Sequence, residues 1–282
     1  MQRRENKAER GGFKIEKVLA APPNRPKGIT SMKFNDCLAD VDRLQEEIRQ
    51  LRPLRGKALA QLREYYKIGL TWTSNALEGN SLTESETKVV IEDGITIGGK
   101  PLRDHFEAVG HAEAFDLVYR LAKRREITEA EILKLHRLFF YRVDPKSAGR
   151  YRKVPAIITG AAIELPPPSR IKARMGEFIT GLPEQRARLH PVEFAALLHL
   201  RLVTIHPFAD GNGRTARLLM NLSLIQDGYP VAIIPPVLRP TYIDALKASN
   251  QGDNQPFINL ASNMVYEAQK DYLRLFRTLT AT

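Results

Sequence analysis

Two apolar helical segments joined by a short polar loop constrain the fold more than any other part of the sequence. The first runs from Pro191 to Ile205, with proline in the first turn, where its missing N–H is tolerated. Pro207 and a Gly-Asn-Gly turn end this helix, and a second one is expected from Arg214 to about Gln226. Because both segments are strongly apolar, we expect both to be buried, with the remaining chain packed around them.

Most of the remaining chain shows apolar residues at spacings of three and four, the pattern of amphipathic helices. Further helices are predicted over approximately 32–51, 55–77, 102–125, 128–141, 169–182, 242–249 and 256–279, with another beginning near Thr83. Residues 154–165 differ, because short apolar runs flank Gly160 there and Pro166 follows, a pattern that predicts a short β-hairpin. The predicted fold is therefore all-α, a helical bundle with one short β-hairpin.

Composition and periodicity divide the chain into four regions. Residues 1–30 are polar and basic with proline breakers, and we predict a flexible N-terminal arm. An N-terminal helical region is expected over 31–125 and a core carrying the polar loop over 126–265. Residues 266–282 are expected to form the end of the C-terminal helix.

Charge and composition limit the classes of partner. The 282-residue chain has a formal charge of +11, but its basic residues are scattered and form no stripe interleaved with aromatic residues. A phosphate pocket on a solvated surface explains this charge better than nucleic-acid binding. No apolar run reaches the roughly 18 residues of a bilayer-spanning helix. With one cysteine, Cys37, and no secretory signal, we predict a cytoplasmic protein that binds neither nucleic acid nor membrane.

The polar loop collects groups that suit phosphate chemistry. Gly211 and Gly213 allow the backbone N–H groups of a helix N-terminus to approach an anion closely. Arg214 and Arg217, three residues apart on one helical face, can both bind phosphate oxygens. Asp210 offers a hard oxygen ligand of the kind that Mg²⁺ prefers.

A possible base lies at the beginning of the loop. Histidine has an ordinary pKa near neutrality, so His206 is expected to suit the deprotonation of a hydroxyl group. Taken singly, these residues have ordinary structural explanations, since Gly-Asn-Gly is a common turn and a histidine before proline is often structural. Four other histidines, at 105, 111, 136 and 199, are interpreted as structural or surface residues, and Trp72 as a core residue.

The complete spacing is more specific than its parts. Residues 206–217 resemble the Fic family signature His-x-Phe-x-Asp/Glu-Gly-Asn-Gly-Arg-x-x-Arg and match it at every defined position. The resemblance extends from about Tyr65 to the C-terminus, and the region 154–165 is similar to the family's substrate-binding flap. It implies a Fic-type helical bundle that transfers AMP from ATP to a Ser, Thr or Tyr hydroxyl of a target protein, with release of pyrophosphate.

The resemblance also implies a role for each site residue. His206 would deprotonate the target hydroxyl and Asp210 would hold Mg²⁺, while the phosphates would contact Gly211, Asn212, Gly213, Arg214 and Arg217. Asn250 lies where similar proteins contact adenine, and Ile158 would lie near the nucleotide. The target protein would bind along the flap at 154–165 by adding a strand to its edge.

A second motif lies more than a hundred residues before the loop. The segment 74–80, Ser-Asn-Ala-Leu-Glu-Gly-Asn, resembles the inhibitory motif of the same family, Ser/Thr-x-x-x-Glu-Gly/Asn. In that family the glutamate, here Glu78 with Ser74 at the start of the motif, pairs with the second arginine of the signature, Arg217. The resemblance therefore implies an enzyme that is inhibited in cis. An exposed glutamate at the end of a helix is the ordinary alternative.

Other functions remain open at this point. In some relatives the inhibitory glutamate positions a water molecule, so removal of AMP from a modified protein is one alternative. A nucleotide-binding regulator without turnover is another, although the intact His206 and Asp210 argue against it. A homodimer is possible by analogy with relatives.

Overall fold

The computed structural model describes residues 33–51, 53–157 and 163–280. The α-helices in these ranges are α1 Leu38–Gln50, α2 Gly56–Ala76, α3 Glu84–Glu92, α4 Leu102–Leu121, α5 Glu129–Phe140, α6 Pro168–Thr180, α7 Leu182–Arg188, α8 Pro191–Ile205, α9 Asn212–Gln226, α10 Arg239–Asn250 and α11 Gln255–Thr280. A single 3₁₀ turn, Pro236–Leu238, precedes α10. These ranges contain no β-strand, so the all-α prediction is confirmed for them.

The local sequence explains where several helices begin. In α3, the hydroxyl of Thr83 accepts from the backbone of Glu86, and the Glu86 side chain accepts from the Thr83 backbone. Thr128 and Glu131 form the same capping box at the start of α5, as their spacing predicts. The short helix α7 is not predicted, because its seven mostly charged and polar residues contain too little apolar periodicity to reveal it.

Helices α8 and α9 lie at the centre of the molecule, as their apolar sequences predict. One face of the pair packs into a core with α2, α4, α5 and α6, and this face carries Phe194, Leu198 and Leu218. The opposite face packs into a second core with α10 and α11, through Leu200 and Met220. The loop joining α8 to α9 is therefore attached to two helices that are immobilised on both faces.

The N-terminal helices are part of this packing. Helix α1 lies along α11, where the buried amide of Gln269 donates to Gln45 and to the Val41 carbonyl oxygen. Helix α2 packs against α3 and α4 and contacts α9, so it delivers its C-terminal end to the polar loop. The division of the chain into two regions at residue 125 remains a prediction. Both apolar cores contain residues from each side of it.

Two predicted segments fall partly or wholly outside the described residues. These are the arm at 1–30 and the middle of the hairpin at 158–162, which includes Ile158. The hairpin therefore stays a prediction; on its described side, Ile157 is 89% exposed. None of the helices in the described ranges has the length and apolar character needed to cross a bilayer.

Candidate active site

The loop between α8 and α9 is held in shape by a buried hydrogen-bond network. The Asn212 amide donates to the Phe208 carbonyl oxygen and accepts from the Phe208 N–H, both at 2.9 Å. Gly149 donates its N–H to His136 Nδ1 at 2.9 Å, so the proton of this imidazole is on Nε2, which donates to the Asp210 carbonyl oxygen at 3.0 Å. His136 is also stacked on Phe208, with ring centroids 3.8 Å apart. The interpretation of His136 as structural is consistent with these contacts.

His206 occupies the C-cap of α8 in a left-handed conformation, with φ 50° and ψ 57°. Among the described residues it is the one non-glycine position with a positive φ, a conformation that costs roughly 1–2 kcal/mol. Its Nδ1 lies 3.3 Å from the Val203 carbonyl oxygen, which can only accept, so the ring proton is on Nδ1. This leaves Nε2 as the basic nitrogen. Arg152 Nε donates to the His206 carbonyl oxygen at 2.8 Å and supports this conformation.

Burial determines the protonation state of His206. The side chain is almost completely enclosed, which disfavours its charged form and lowers its pKa to about 4. The charge on Arg152 acts in the same direction, whereas Glu78 and Asp210 oppose it. The imidazole is therefore neutral at physiological pH and able to accept a proton.

The N-terminus of α9 forms a cradle of backbone N–H groups beside His206. Gly211 has a φ of 80°, and a Cβ atom at this position would collide with the ring of Phe139. A Cβ atom on Gly213 would collide with Glu78 Oε1. The Glu78 carboxylate therefore lies directly against the backbone that a helix N-terminus offers to anions.

Arg217 is buried behind this cradle and has four hydrogen-bond contacts. Its Nη2 donates to Glu78 Oε1 at 2.7 Å and to the Ser74 carbonyl oxygen at 2.8 Å. Its Nε donates to Ser74 Oγ at 2.9 Å, and its Nη1 donates to the Tyr242 hydroxyl at 3.0 Å. The motif at 74–80 and the second arginine of the loop thus meet as the sequence resemblance implies.

Glu78 belongs to the turn that follows α2 and not to the helix itself. Helix α2 ends at Ala76, and Arg239 Nε donates to the carbonyl oxygen of Leu77 at 2.8 Å. Burial by itself raises the pKa of the Glu78 carboxyl, but the guanidinium groups of Arg217 and Arg214 outweigh burial and lower the pKa below its ordinary value. The carboxylate is consequently charged at neutral pH.

Arg214 belongs to a closed ring of four alternating charges. Arg214 Nη1 contacts Glu107 Oε1 at 2.9 Å, and Glu107 Oε1 also accepts from Arg103 Nε at 2.9 Å. Arg103 Nη2 then contacts Asp210 Oδ2 at 2.6 Å, and Asp210 Oδ1 lies 3.4 Å from Arg214 Nη2. The Arg214 guanidinium also lies over the ring of Phe139, 4.5 Å from its centroid.

Asp210 is the residue of this ring that could hold a divalent cation. Its carboxylate lies beside the anion cradle, where Mg²⁺ bound to one protein oxygen would take its remaining ligands from phosphates and water. The described residues contain no group of three or more His, Cys, Asp and Glu side chains suited to a metal. The donor set therefore fits a cation that is shared with a phosphate ligand, and it does not fit a closed protein cage.

The structure brings nearly all of the predicted site residues together, with two exceptions. Asn250 is the last residue of α10 and is exposed, eight residues, or about 12 Å along the helix, from Tyr242. Ile158 lies outside the described residues, so its predicted role is untested. Trp72, predicted to be a core residue, is only half-buried and faces a groove beside α11.

Three further residues that surround the two arginines are not revealed by the sequence motifs. Glu107 and Arg103 are on α4, and Tyr242 is on α10, so no local spacing connects them to the loop. One sequence feature could have identified Glu107: it is a charged residue on a helix whose apolar residues Ala108, Phe115 and others leave little surface for solvent. A charge in that position requires a buried partner.

A family model and several known proteins match this chain. The model of the Fic/DOC family matches residues 126–224. The protein adenylyltransferase Fic of Drosophila grimshawi is 39% identical over 203 residues, which are 71% of this chain and 41% of that protein. The protein of the same name from Nematostella vectensis is 39% identical over 204 residues, covering 71% of this chain and 47% of that protein.

Solved structures agree with the sequence matches. Fic-1 of C. elegans, residues 134–508, has a TM-score of 0.76 and 32% identity, covering 86% of this chain and 72% of that chain. The chain described here belongs to the Fic family. A Fic-domain-containing signaling protein from Bacteroides thetaiotaomicron has a TM-score of 0.77 and 30% identity, with 84% and 97% of the two chains covered. The Fic chain described here spans less than half the length of the two adenylyltransferases it matches.

Proposed function

We propose that this Fic protein transfers AMP from ATP to a hydroxyl group of a target protein, and that Glu78 inhibits the transfer in cis. The observation that carries the proposal is the position of Glu78, which lies against Gly213 and pairs with Arg217 at 2.7 Å. The Glu78 carboxylate thus occupies the place where the proposed reaction requires a phosphate group. The names of the curated relatives, protein adenylyltransferase, support the choice of reaction.

The geometry supports a separate role for each residue of the loop. The neutral His206 accepts the proton of the target hydroxyl on Nε2, because Nδ1–H is held by the Val203 carbonyl oxygen. The hydroxyl oxygen then attacks the α-phosphorus, a new P–O bond forms, and the bond to pyrophosphate breaks. Backbone N–H groups at Gly211–Gly213 and the Arg214 guanidinium stabilise negative charge on the phosphates. The Asn212 side chain braces the loop, so its contribution to binding is its backbone N–H.

Asp210 would hold Mg²⁺ between itself and the phosphates, where the cation would neutralise charge that develops on the leaving group. Arg217 would bind the distal phosphate. It cannot pair fully with both that phosphate and Glu78, since Ser74 and Tyr242 use three of its five N–H donors and leave two for an anion. This competition is the proposed mechanism of inhibition. Asn250 and Ile158 are retained as proposed contacts to the nucleotide, and the region 154–165 as the proposed docking site of the target.

The decisive experiment compares ATP labelled at the α-phosphate with ATP labelled at the γ-phosphate. Wild type, Glu78→Gly and Glu78→Gly/His206→Ala would be incubated with each label and a soluble protein extract. We expect α-label on protein, increased on the order of 10- to 100-fold by Glu78→Gly and abolished by His206→Ala. Transfer of the γ-label would contradict AMP transfer.

A matched control separates release of inhibition from loss of a glutamate. Glu126 is exposed and lies in the connection between α4 and α5, so Glu126→Gly repeats the chemical change away from the site. We expect this variant to transfer label at the wild-type rate. Equal activation by both substitutions would contradict a specific role of Glu78.

Removal of AMP is the second candidate, and one observation favours it. Glu78 is close enough to raise the pKa of His206 by its charge, so the two groups could together position a water molecule for attack on a protein-bound AMP. Protein that has been labelled by Glu78→Gly would be isolated and returned to the wild type. Release of label by the wild type and its absence with Glu78→Gly would favour this second activity.

A further inference from the structure

We propose that Arg103 is a further residue of the nucleotide site, one that pairs with Asp210 and exchanges this carboxylate for a phosphate oxygen when Asp210 binds a divalent cation. The inference rests on the proposed function. It starts from the ring of four charges, in which Arg103 pairs with Glu107 on its own helix, α4, and with Asp210 in the loop between α8 and α9.

Both oxygens of Asp210 are already engaged. Oδ1 accepts from the Gly211 N–H at 2.6 Å and lies 3.4 Å from Arg214, while Oδ2 accepts from Arg103 Nη2 at 2.6 Å. Oδ2 is the oxygen with the shorter arginine contact, so Arg103 neutralises the same carboxylate that a metal ion would use. A divalent cation on Asp210 and the Arg103 guanidinium both carry positive charge and repel each other, so the two compete for this carboxylate.

Arg103 is the member of the ring that can move. Its side chain is 54% exposed, compared with 19% for Asp210, 6% for Glu107 and 3% for Arg214. Ion pairs of half-exposed arginines are weak, so breaking the contact with Asp210 requires little free energy. The contact between Arg103 Nε and Glu107 at 2.9 Å does not depend on Asp210 and keeps the guanidinium beside the loop.

The released guanidinium has one favourable destination. The ring is neutral, with two arginines and two carboxylates, so a divalent cation on Asp210 leaves an excess of positive charge next to Arg103. Phosphate groups in the adjacent cradle supply the opposite charge, and a guanidinium binds them with two parallel hydrogen bonds. Arg103 would then contribute to nucleotide affinity although it lies outside the loop.

The test relies on opposite expected effects of removing Arg103 on metal affinity and on nucleotide affinity. Mn²⁺ alone would be titrated and followed by electron paramagnetic resonance, and a Mg²⁺-loaded ATP analogue with a methylene group between its α- and β-phosphates would be titrated by calorimetry. For Arg103→Ala we expect about fivefold tighter Mn²⁺ binding and about fivefold weaker analogue binding than for wild type. Neither measurement requires AMP transfer, so the result stands whether or not that activity is found.

Two further variants complete the design. Arg103→Lys keeps the charge but cannot contact Glu107 and Asp210 with one planar group, so its Mn²⁺ affinity should lie between those of wild type and Arg103→Ala. Arg43→Ala removes another exposed arginine, paired with Asp40 at 3.0 Å, and should change neither affinity.

Three outcomes would overturn the proposal. Weaker Mn²⁺ binding by Arg103→Ala would mean that Arg103 positions Asp210 for the metal and does not compete with it. Unchanged analogue affinity would remove the phosphate contact. Unchanged Mn²⁺ binding by Asp210→Asn would remove Asp210 as the metal ligand, and this proposal with it, while AMP transfer measured with labelled ATP is judged separately.

Discussion

Two glutamates from outside the loop each neutralise one of its arginines, and they differ in how firmly the structure holds them. Glu107 lies within α4, is 6% exposed, and contacts Arg103, Arg214 and the Asn80 amide. Glu78 lies in a turn after α2, is 17% exposed, and contacts Arg217. Glu107 is held by its helix and three partners, whereas Glu78 is held by one ion pair.

The two arginines differ in the complementary way. Arg217 keeps three hydrogen bonds to Ser74 and Tyr242 when Glu78 is removed, so its guanidinium stays in place and remains available to a phosphate. Arg214 relies mainly on Glu107, because its contacts with Asn75 and Asp210 are both 3.4 Å long. Loss of Glu78 should therefore release a formed site, and loss of Glu107 should destroy one.

The largest effect is expected for Glu107→Gln. Removing one charge from a buried pair leaves Arg214 uncompensated, and we expect the free energy of unfolding to fall by about 3 kcal/mol, with loss of AMP transfer. Urea unfolding would measure this. Glu113→Gln is the control, since Glu113 is on the same helix but its pair with Arg142 is exposed, and its effect should stay below about 1 kcal/mol. Equal losses in the two variants would break the comparison.

Glu78→Gln should reduce stability less. Its pair with Arg217 is partly accessible to solvent, so we expect a fall of about 1–2 kcal/mol in the free energy of unfolding, between the ranges for surface and buried pairs. At the same time AMP transfer should rise. A stability loss as large as that of Glu107→Gln, or a loss of activity, would show that Glu78 is also a structural counter-ion.

Tyr242→Phe tests whether Arg217 is held independently of Glu78. The tyrosine hydroxyl accepts from Arg217 Nη1 at 3.0 Å and lies 3.1 Å from His199 Nε2, so its removal should cost about 1 kcal/mol of unfolding free energy. Combined with Glu78→Gly, it should also weaken ATP binding, measured by calorimetry. Tyr141→Phe, which changes an exposed tyrosine, should have no effect on either quantity.

The smallest effect concerns pH. Arginine charges lower the pKa of Glu78 in the folded protein, so its stabilising contribution is present above the ordinary value of 4.5 and is lost only as pH falls through the lowered pKa. The difference in unfolding free energy between wild type and Glu78→Gln should therefore be constant from pH 5 to 8 and shrink below that range. A difference that declines already between pH 7 and 6 would contradict the assigned ion pair.

Histidines impose a separate pH dependence on the wild type. Burial lowers the pKa of His206 and of His136 to about 4, so between pH 6.5 and 4 the unfolded chain binds more protons than the folded one. The unfolding free energy should fall across this interval, and His206→Ala should reduce its slope. An unchanged slope would contradict the buried, neutral imidazole that the proposed base requires.

Much of the fold and site was predictable because the responsible signals are local. Capping residues such as Thr128 and Glu131 act within one helical turn, and the bounds of α8 follow from Pro191 and Pro207. The residues of the loop 206–217 are neighbours in the chain, so their spacing alone places a base, a carboxylate and two arginines on one surface. No such local signal marks helix α7, which is supported more by tertiary packing than by its own seven residues.

The sequence by itself determined the all-α character, the buried helix pair and the identities of the groups that can handle phosphate. The family resemblance already implied that Glu78 meets Arg217, but only the tertiary structure decided which charges meet around Arg214, because Arg103 and Glu107 lie more than 100 residues from their partners in the loop. Charge pairing at such separations depends on how α2 and α4 pack against α9, and this packing is set by apolar surfaces that carry no information about the charges. The physical consequence is that the groups of the loop can be recognised from their spacing, while the ion pairs around Arg214 are visible only where the helices meet.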